Sequence, residues 1–176
     1  MEHKIIFTGP VGSGKTTAIG SISDIPVVQT EAGASDEVAL RKTNTTVAMD
    51  YGVLELGQNQ KMHLYGTPGQ ERFSFMWDIL TMGGVGLVLM VDNARDNPIE
   101  DVEFFLNAFQ NFIRQNAVVI GVTRTDVHPQ PGLEKIRMRV QQLGYNVPVF
   151  EVDARKKDDV KVLILALLAV LDPGVK

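Results

Sequence analysis

A short stretch near the start of the chain combines glycines, a lysine and a threonine at a spacing suited to binding phosphate. Residues 9–16 read GPVGSGKT and match the P-loop pattern G-x-x-x-x-G-K-[ST]. Glycines allow backbone N–H groups to turn inward around phosphate oxygens, and a following helix adds its positive end. In this pattern Lys15 reaches the β- and γ-phosphates, and the hydroxyl of Thr16 binds Mg²⁺. The sequence therefore predicts a nucleotide site that uses magnesium.

Strands and helices must alternate along the chain to carry this loop. Short runs of β-favouring and apolar residues predict strands at residues 3–8, 47–56, 61–65, 85–91, 117–123 and 147–152. Apolar residues at helical spacing predict helices at residues 15–23, 98–113, 133–143 and 158–171. Residues 24–45 show no clean period and are predicted to form a long loop with a short extended piece at 27–29.

The order of these elements predicts the fold class. The sequence GQNQ at residues 57–60 joins two strands and signals a hairpin, whereas the later strands are separated by helices. Continuous apolar strands are typical of a sheet that is covered on both faces. We therefore expect one α/β domain over residues 1–176. Its sheet would be mostly parallel and six-stranded, with one antiparallel edge hairpin and helices on both faces.

Composition excludes several classes of function. The net charge of −4 gives no general reason to expect nucleic acid as a partner. The chain has no cysteine, which excludes disulfides, thiol catalysis and lipid attachment to cysteine, and which suits a reducing cytoplasm. Glu2 stands where myristoylation needs glycine, and the apolar run at residues 162–171 is too short to span a bilayer. We expect a cytoplasmic protein without an intrinsic membrane anchor.

Further motifs follow the P-loop in a recognisable order. They are TVAMDY at residues 46–51, GTPGQE at 66–71, TRTD at 123–126 and EVDAR at 151–155. Together with the P-loop they make the chain resemble a Ras-like small GTPase, and it is similar to the bacterial MglA-like branch. The resemblance covers residue 4 to about residue 171. It implies a P-loop NTPase fold and a GTP-binding molecular switch that hydrolyses GTP to GDP slowly and is stimulated by a partner.

The resemblance assigns the first two of these motifs to the phosphate and magnesium side of the site. Thr46 would bind Mg²⁺ beside Thr16, in a loop that closes on GTP. Gly69 would donate its N–H to the γ-phosphate, and Gln70 would orient the attacking water. Gln70 and Lys15 are therefore the expected catalytic residues.

The last two motifs would hold the base. Asp126 would accept hydrogen bonds from guanine N1 and N2, which adenine cannot supply, and Arg124 would lie over the base. Thr123 replaces the usual asparagine, and the backbone at Ala154 would contact guanine O6. The residues expected to bind the nucleotide are Gly9, Val11, Gly12, Ser13, Gly14, Lys15, Thr16, Thr17, Thr46, Gly69, Thr123, Arg124, Asp126 and Ala154.

Two departures from the pattern leave the chemistry open. Gly66 stands where an aspartate usually helps to hold magnesium, and Val11 stands where many relatives have glycine beside the γ-phosphate. One interpretation is a slow GTPase with weak magnesium affinity, in which another acid such as Asp92 replaces the missing carboxylate. The second is a pseudo-GTPase, a nucleotide-stabilised binding module with little turnover. A more distant alternative is an ATP-dependent P-loop kinase, against which Gln70 and Asp126 argue.

The resemblance also implies a partner, a Roadblock-domain protein acting as activator or effector. Bulky apolar residues follow Gln70 in a segment that such a partner could contact. They are Phe73, Phe75, Met76 and Trp77. Core packing is an equally good explanation for them.

Overall fold

The computed structural model describes residues 2–30 and 49–172. Its strands are β1 (Glu2–Thr8), β2 (Val28–Thr30), β3 (Met49–Gly57), β4 (Gln60–Gly66), β5 (Gly86–Asp92), β6 (Ala117–Thr123) and β7 (Val149–Glu151). Its α-helices are α1 (Lys15–Ile22), α2 (Trp77–Thr81), α3 (Pro98–Ala108), α4 (Gln110–Ile113), α5 (Leu133–Gln142) and α6 (Lys157–Leu171). A 3₁₀ helix at Glu71–Met76 leads into α2.

The strands form one sheet in the order β2-β3-β4-β1-β5-β6-β7. Strands β4, β1, β5, β6 and β7 are parallel, and β2, β3 and β4 pair antiparallel at one edge. The α/β class and the edge hairpin are confirmed, but the sheet has seven strands rather than the six expected. The extra strand is β2, a short extended piece that completes the edge by pairing with β3.

The hairpin between β3 and β4 is tighter than the sequence suggested. The strands continue to Gly57 and Gln60, so the turn consists of Gln58 and Asn59. Both residues have left-handed backbones, with φ of 48° and 59°, as a two-residue hairpin turn requires. The pairing also shifts by one residue between Glu55 and Gly57, which sets the register of the rest of the hairpin.

Helices cover both faces of the sheet, and each face has its own apolar cluster. On one face α1 and α6 pack on alternate residues of the central strands, including Ile5, Phe7 and Met90. On the other face α3 and α5 pack on the intervening residues, including Ile6 and Leu89. The predicted helix at residues 98–113 is divided at Phe109, where α3 ends and the short α4 begins.

The parallel strands bring the segments that follow them, which carry the sequence motifs, to one edge of the sheet. Thr8, Gly66, Asp92, Thr123 and Glu151 end five neighbouring strands at one edge of the sheet. Ligands of open α/β sheets bind outside this carboxyl edge. Among residues 2–30 and 49–172, no helix is long and apolar enough to cross a membrane.

Candidate nucleotide site

The P-loop connects β1 to α1 and lies against the end of β5. Gly9 has φ of 143°, and a Cβ atom there would lie 2.2 Å from the carbonyl oxygen of Met90. Gly14, the residue that precedes α1, has a left-handed backbone with φ of 99°. Side chains at these two positions would push the loop off the sheet or strain its turn into the helix. The glycines thus allow the loop to wrap closely around a phosphate group.

Lys15 is held within its own loop. Its side chain is only 7% exposed, and Nζ donates hydrogen bonds to the carbonyl oxygens of Gly9 at 2.7 Å and Pro10 at 2.8 Å. Burial lowers the pKa of Lys15 to about 8; the carboxylate of Asp50 acts in the opposite direction, and Arg95 lowers it further. A partly desolvated ammonium group fixed in this way interacts strongly with an incoming anion.

The lowered pKa of Lys15 predicts that nucleotide affinity falls as pH rises above about 8. Binding needs the charged lysine, so well above this pKa each pH unit should weaken binding by up to about tenfold. The stability of the free protein should change in the opposite direction. Between pH 8 and 10.5 the unfolded chain keeps a proton that the folded chain has lost, so the Lys15 contribution to stability increases with pH.

Titration of the GDP dissociation constant from pH 7 to 10 would test this prediction. Lys15→Arg is the matched control because a guanidinium group stays charged throughout this range. It reports the pH dependence that comes from the nucleotide itself. Equal pH profiles for wild type and Lys15→Arg would contradict the prediction.

The hydroxyl of Thr16 is paired with an acid that the motifs do not assign. Thr16 Oγ1 donates a hydrogen bond of 2.5 Å to Oδ2 of Asp50, a half-buried residue of β3. Asp50 pairs directly with Gly66 on β4. A Cβ atom at Gly66 would lie 2.9 Å from that same carboxylate oxygen. The carboxylate of Asp50 therefore occupies the space into which an aspartate at position 66 would extend.

Asp92, the acid that the sequence suggested as an alternative, has other partners. Its carboxylate accepts hydrogen bonds from the backbone N–H of Ala94 at 2.9 Å and from Arg124 Nη1 at 3.0 Å. Both partners lie on the base side of the site. The structure thus divides the two acids, with Asp50 beside Thr16 and Asp92 beside Arg124.

The segment after β4 packs directly on the P-loop. A Cβ atom at Gly69 would lie 2.6 Å from the backbone nitrogen of Val11 and 2.9 Å from Lys15 Nζ. Gly69 therefore lies beside the residues that would face the terminal phosphate, and Gln70 follows it at the exposed rim. Val11 is 54% exposed at the same rim. Thr46, the predicted second magnesium ligand, lies outside the described residues.

Trp77 belongs to the core rather than to a contact surface. It is 4% exposed, and its ring lies 5.3 Å from that of Phe105 and 5.2 Å from that of Phe109. Its indole Nε1–H donates a hydrogen bond of 3.0 Å to the carbonyl oxygen of Pro68, next to Gly69. Phe75, by contrast, is 63% exposed. The side chain of Phe73 lies outside the described part of the chain.

A cleft of about 730 Å³ opens beside the P-loop and brings the predicted base-binding residues together. The predicted nucleotide-binding residues that line it are Gly12, Ser13, Gly14, Thr17, Thr123, Arg124, Asp126 and Ala154. Thr123 Oγ1 lies 3.2 Å from the carbonyl oxygens of Ser13 and Val91, and Arg124 Nη2 donates to the carbonyl oxygen of Gly12 at 3.3 Å. The TRTD segment is thus fastened directly to the P-loop.

The EVDAR segment, residues 151–155, also lines the cleft. Asp153 and Arg155 pair with each other, with two side-chain contacts of 2.9 Å. The hydrogen bonds from Arg155 lower the pKa of Asp153 to about 2. Ala154 lies between them and is buried against the P-loop, where a Cβ atom at Gly14 would lie 3.1 Å from its own Cβ. Ala154 therefore lies beside the P-loop in this cleft.

With this geometry established, comparisons with known proteins identify the family. A sequence model of the family described as "Conserved hypothetical ATP binding protein" matches residues 7–145, which include the P-loop, the segment after β4 and the TRTD segment. The chain belongs to this family. Its members are related to P-loop NTPases, in agreement with the sheet order and the loop geometry of the present structure.

The chain is also similar to individual proteins, among them two Ras-related proteins. An uncharacterized protein of Methanocaldococcus jannaschii is 30% identical over 102 residues, which cover 58% of this chain and 58% of that protein. Ras-related protein SEC4 of Candida albicans is 24% identical over 131 residues, covering 72% of this chain and 62% of the relative. Ras-related protein Rab-3B of Rattus norvegicus is 26% identical over 123 residues, which cover 66% of this chain and 55% of that protein. The chain spans less than two thirds of each relative's length.

Asp50 is the functional candidate that the motifs missed. It stands within TVAMDY, but no spacing rule connects it to the P-loop. The signal that could have revealed it is the hairpin, because correct pairing of β3 with β4 places Asp50 opposite the glycine that replaces the expected acid.

Proposed function

We propose that residues 1–176 form a guanine-nucleotide-binding switch that hydrolyses GTP to GDP slowly. The observation that carries the proposal is the joining of the P-loop and the Asp126 segment in one cleft, through Arg124 and Thr123. A carboxylate at Asp126 suits guanine, whose N1–H and N2–H₂ groups are donors, and it does not suit adenine. The similarity to Ras-related proteins supports the same choice.

The residues near Lys15 fit a magnesium ion bound together with phosphate. Mg²⁺ prefers oxygen donors and usually takes one or two carboxylates along with substrate phosphates. Thr16 and Asp50 supply a hydroxyl and a carboxylate next to each other, and Thr46 is proposed as a further ligand. When bound, the ion would neutralise charge on the β- and γ-phosphates. Lys15 would bind the same phosphates, while Gly69 and Gln70 would hold the γ-phosphate and the attacking water.

Base choice gives the most direct test, because the family description names ATP. We expect wild-type protein to prefer GTP and GDP over ATP and ADP in a competition titration. Asp126→Asn should shift the preference towards xanthine nucleotides, since an amide can donate to the O2 that xanthine carries in place of the guanine amino group. Glu100→Gln, an exposed acid-to-amide change on α3, is the control. Equal affinity of the wild type for GTP and ATP would overturn the guanine assignment and favour an ATP-dependent enzyme.

Turnover should depend on Gln70. Because Gln70 lies at an exposed rim, we expect slow hydrolysis by the protein alone and faster hydrolysis with a partner that orders this side chain. A Roadblock-domain protein is the candidate partner. Gln70→Ala should lower the single-turnover rate by about tenfold, below the full contribution of a well-positioned catalytic group. Gln141→Ala on the exposed surface of α5 should leave the rate unchanged.

The second candidate function is a nucleotide-stabilised binding module without turnover. Val11 favours it, because an exposed branched side chain at the rim beside Gly69 can crowd the water or an arginine from a partner. With magnesium in excess and partner present, equal inactivity of wild type and Gln70→Ala would establish this alternative. A measurable rate that falls in Gln70→Ala would exclude it.

A further inference from the structure

The segment that carries Asp126 is exposed and lacks regular structure. Residues 124–132 connect β6 to α5, and most of their side chains face solvent. One turn organises the segment, closed by a hydrogen bond of 2.9 Å from the N–H of His128 to the carbonyl oxygen of Arg124. The position of Asp126 in the cleft therefore depends on how the two ends of this turn are held.

The first end of the turn is held from β5 and the P-loop. Arg124 has a left-handed backbone, with φ of 61°, and its guanidinium group bonds to Asp92 and to the carbonyl oxygen of Gly12. These contacts fix where the turn begins. They leave its far end, at His128, to be held by something else.

Asn93 holds the far end. It follows Asp92 at the end of β5 and is 1% exposed. Its side-chain Nδ2 donates to the carbonyl oxygen of His128, and its Oδ1 accepts a hydrogen bond of 3.2 Å from the N–H of Gly132. Its own backbone N–H donates to Thr123 at 3.0 Å. An amide carries a donor and an acceptor on one short side chain, so asparagine can hold both backbone groups at once.

We infer that Asn93 is a positioning residue for base recognition, which sets the place of Asp126 without touching the nucleotide. This inference rests on the proposed guanine-binding function. The hydrogen bonds of Asn93 all go to residues on the base side of the site. The hydrogen bonds of Lys15, Thr16 and Asp50 involve none of these residues. Loss of Asn93 should therefore weaken selection of the base and leave the grip on the phosphates intact.

The test compares GDP and ADP dissociation constants in wild type and two variants. Asn93→Ala removes both hydrogen bonds. Asn93→Asp keeps the acceptor for Gly132 but turns a carboxylate oxygen towards the carbonyl of His128. In both variants we expect GDP affinity to fall by about tenfold, as loss of a well-placed buried hydrogen bond can produce, with ADP affinity unchanged.

The matched control is Asn116→Asp. Asn116 Nδ2 donates to the carbonyl oxygen of Phe112 at 3.0 Å, and the residue precedes β6 at the edge of the sheet far from the cleft. This variant should keep the GDP-to-ADP ratio even if its melting temperature falls. If Asn93→Ala does not fold, Asn93→Asp decides the question.

The possible outcomes separate this inference from the function on which it rests. Wild-type protein that binds GDP and ADP equally overturns the proposed base choice and the inference with it. A wild type that prefers GDP, with Asn93 variants that melt at lower temperature but keep the preference, overturns the inference alone and shows that Asn93 is purely structural. Loss of the preference in the Asn93 variants but not in Asn116→Asp supports it.

Discussion

Lys15→Ala should weaken GDP and GTP binding by about 100-fold or more. The loss of one member of a desolvated charge pair costs about 2–5 kcal/mol, and each 1.4 kcal/mol corresponds to about a tenfold change in affinity. Lys15 is buried beside Gly69, and its ammonium group is already fixed by two carbonyl oxygens. The ammonium group is therefore already held in the P-loop before a phosphate binds. Isothermal titration or fluorescent-nucleotide binding would measure the effect.

Lys4→Ala is the matched control for this loss. Burial also lowers the pKa of Lys4, and its Nζ donates to the carbonyl oxygen of Met82 at 2.9 Å, but it lies near the opposite end of β1. It should leave nucleotide affinity within about twofold, since it has no part in the P-loop. A folded Lys15→Ala protein that binds GDP within a few-fold of wild type would contradict the assignment of the phosphate site.

Asp50→Asn should raise the magnesium concentration needed for tight nucleotide binding by about 10–100-fold. Residues that support a metal site typically contribute effects of this size. The substitution keeps the shape of the side chain beside Thr16 and Gly66 but removes its charge. The rate of GDP release as a function of free magnesium would report the effect without requiring turnover.

Glu55→Gln controls for loss of an acid on the same strand, because Glu55 is exposed and belongs to the far part of β3. A rescue variant sharpens the test. Gly66→Asp alone would force a second carboxylate against Asp50, with its Cβ 2.9 Å from Oδ2 and 3.1 Å from the Cβ of that residue. The double variant Gly66→Asp/Asp50→Gly should return the magnesium concentration needed for tight nucleotide binding to that of the wild type. Unchanged dependence in Asp50→Asn would show that Asp50 has no role at the metal.

The phosphate and base motifs were readable from the sequence because their chemistry is local. Glycine spacing, a lysine and a threonine define the P-loop within eight residues, and the structure places the glycines between β1 and α1 and the lysine and threonine at the start of α1. The TRTD segment follows an apolar strand, and parallel strands deliver their carboxyl ends to one edge. Local patterns were therefore enough to predict that Asp126 and the P-loop lie at the same cleft.

The sequence was less informative about bulky apolar residues, because they occur both in the core and in contact surfaces. Bulky apolar residues after Gln70 suit either a contact surface or a core, and only packing against Phe105 and Phe109 places Trp77 in the core. The division of the predicted helix at Phe109 was likewise invisible, because α3 and α4 share one continuous apolar spacing.

Local patterns in the sequence predicted the α/β class and the P-loop, and they indicated the residues proposed to bind the base. Which acid lies beside Thr16 could be seen only in the tertiary structure. A hairpin loop spanning residues 57–60 would have placed Asp50 opposite Thr67, with its side chain on the other face relative to Gly66. The register shift between Glu55 and Gly57 moves Asp50 opposite Gly66 instead. Side chains alternate between the faces of a strand, so a one-residue shift in pairing decides whether this carboxylate meets Thr16.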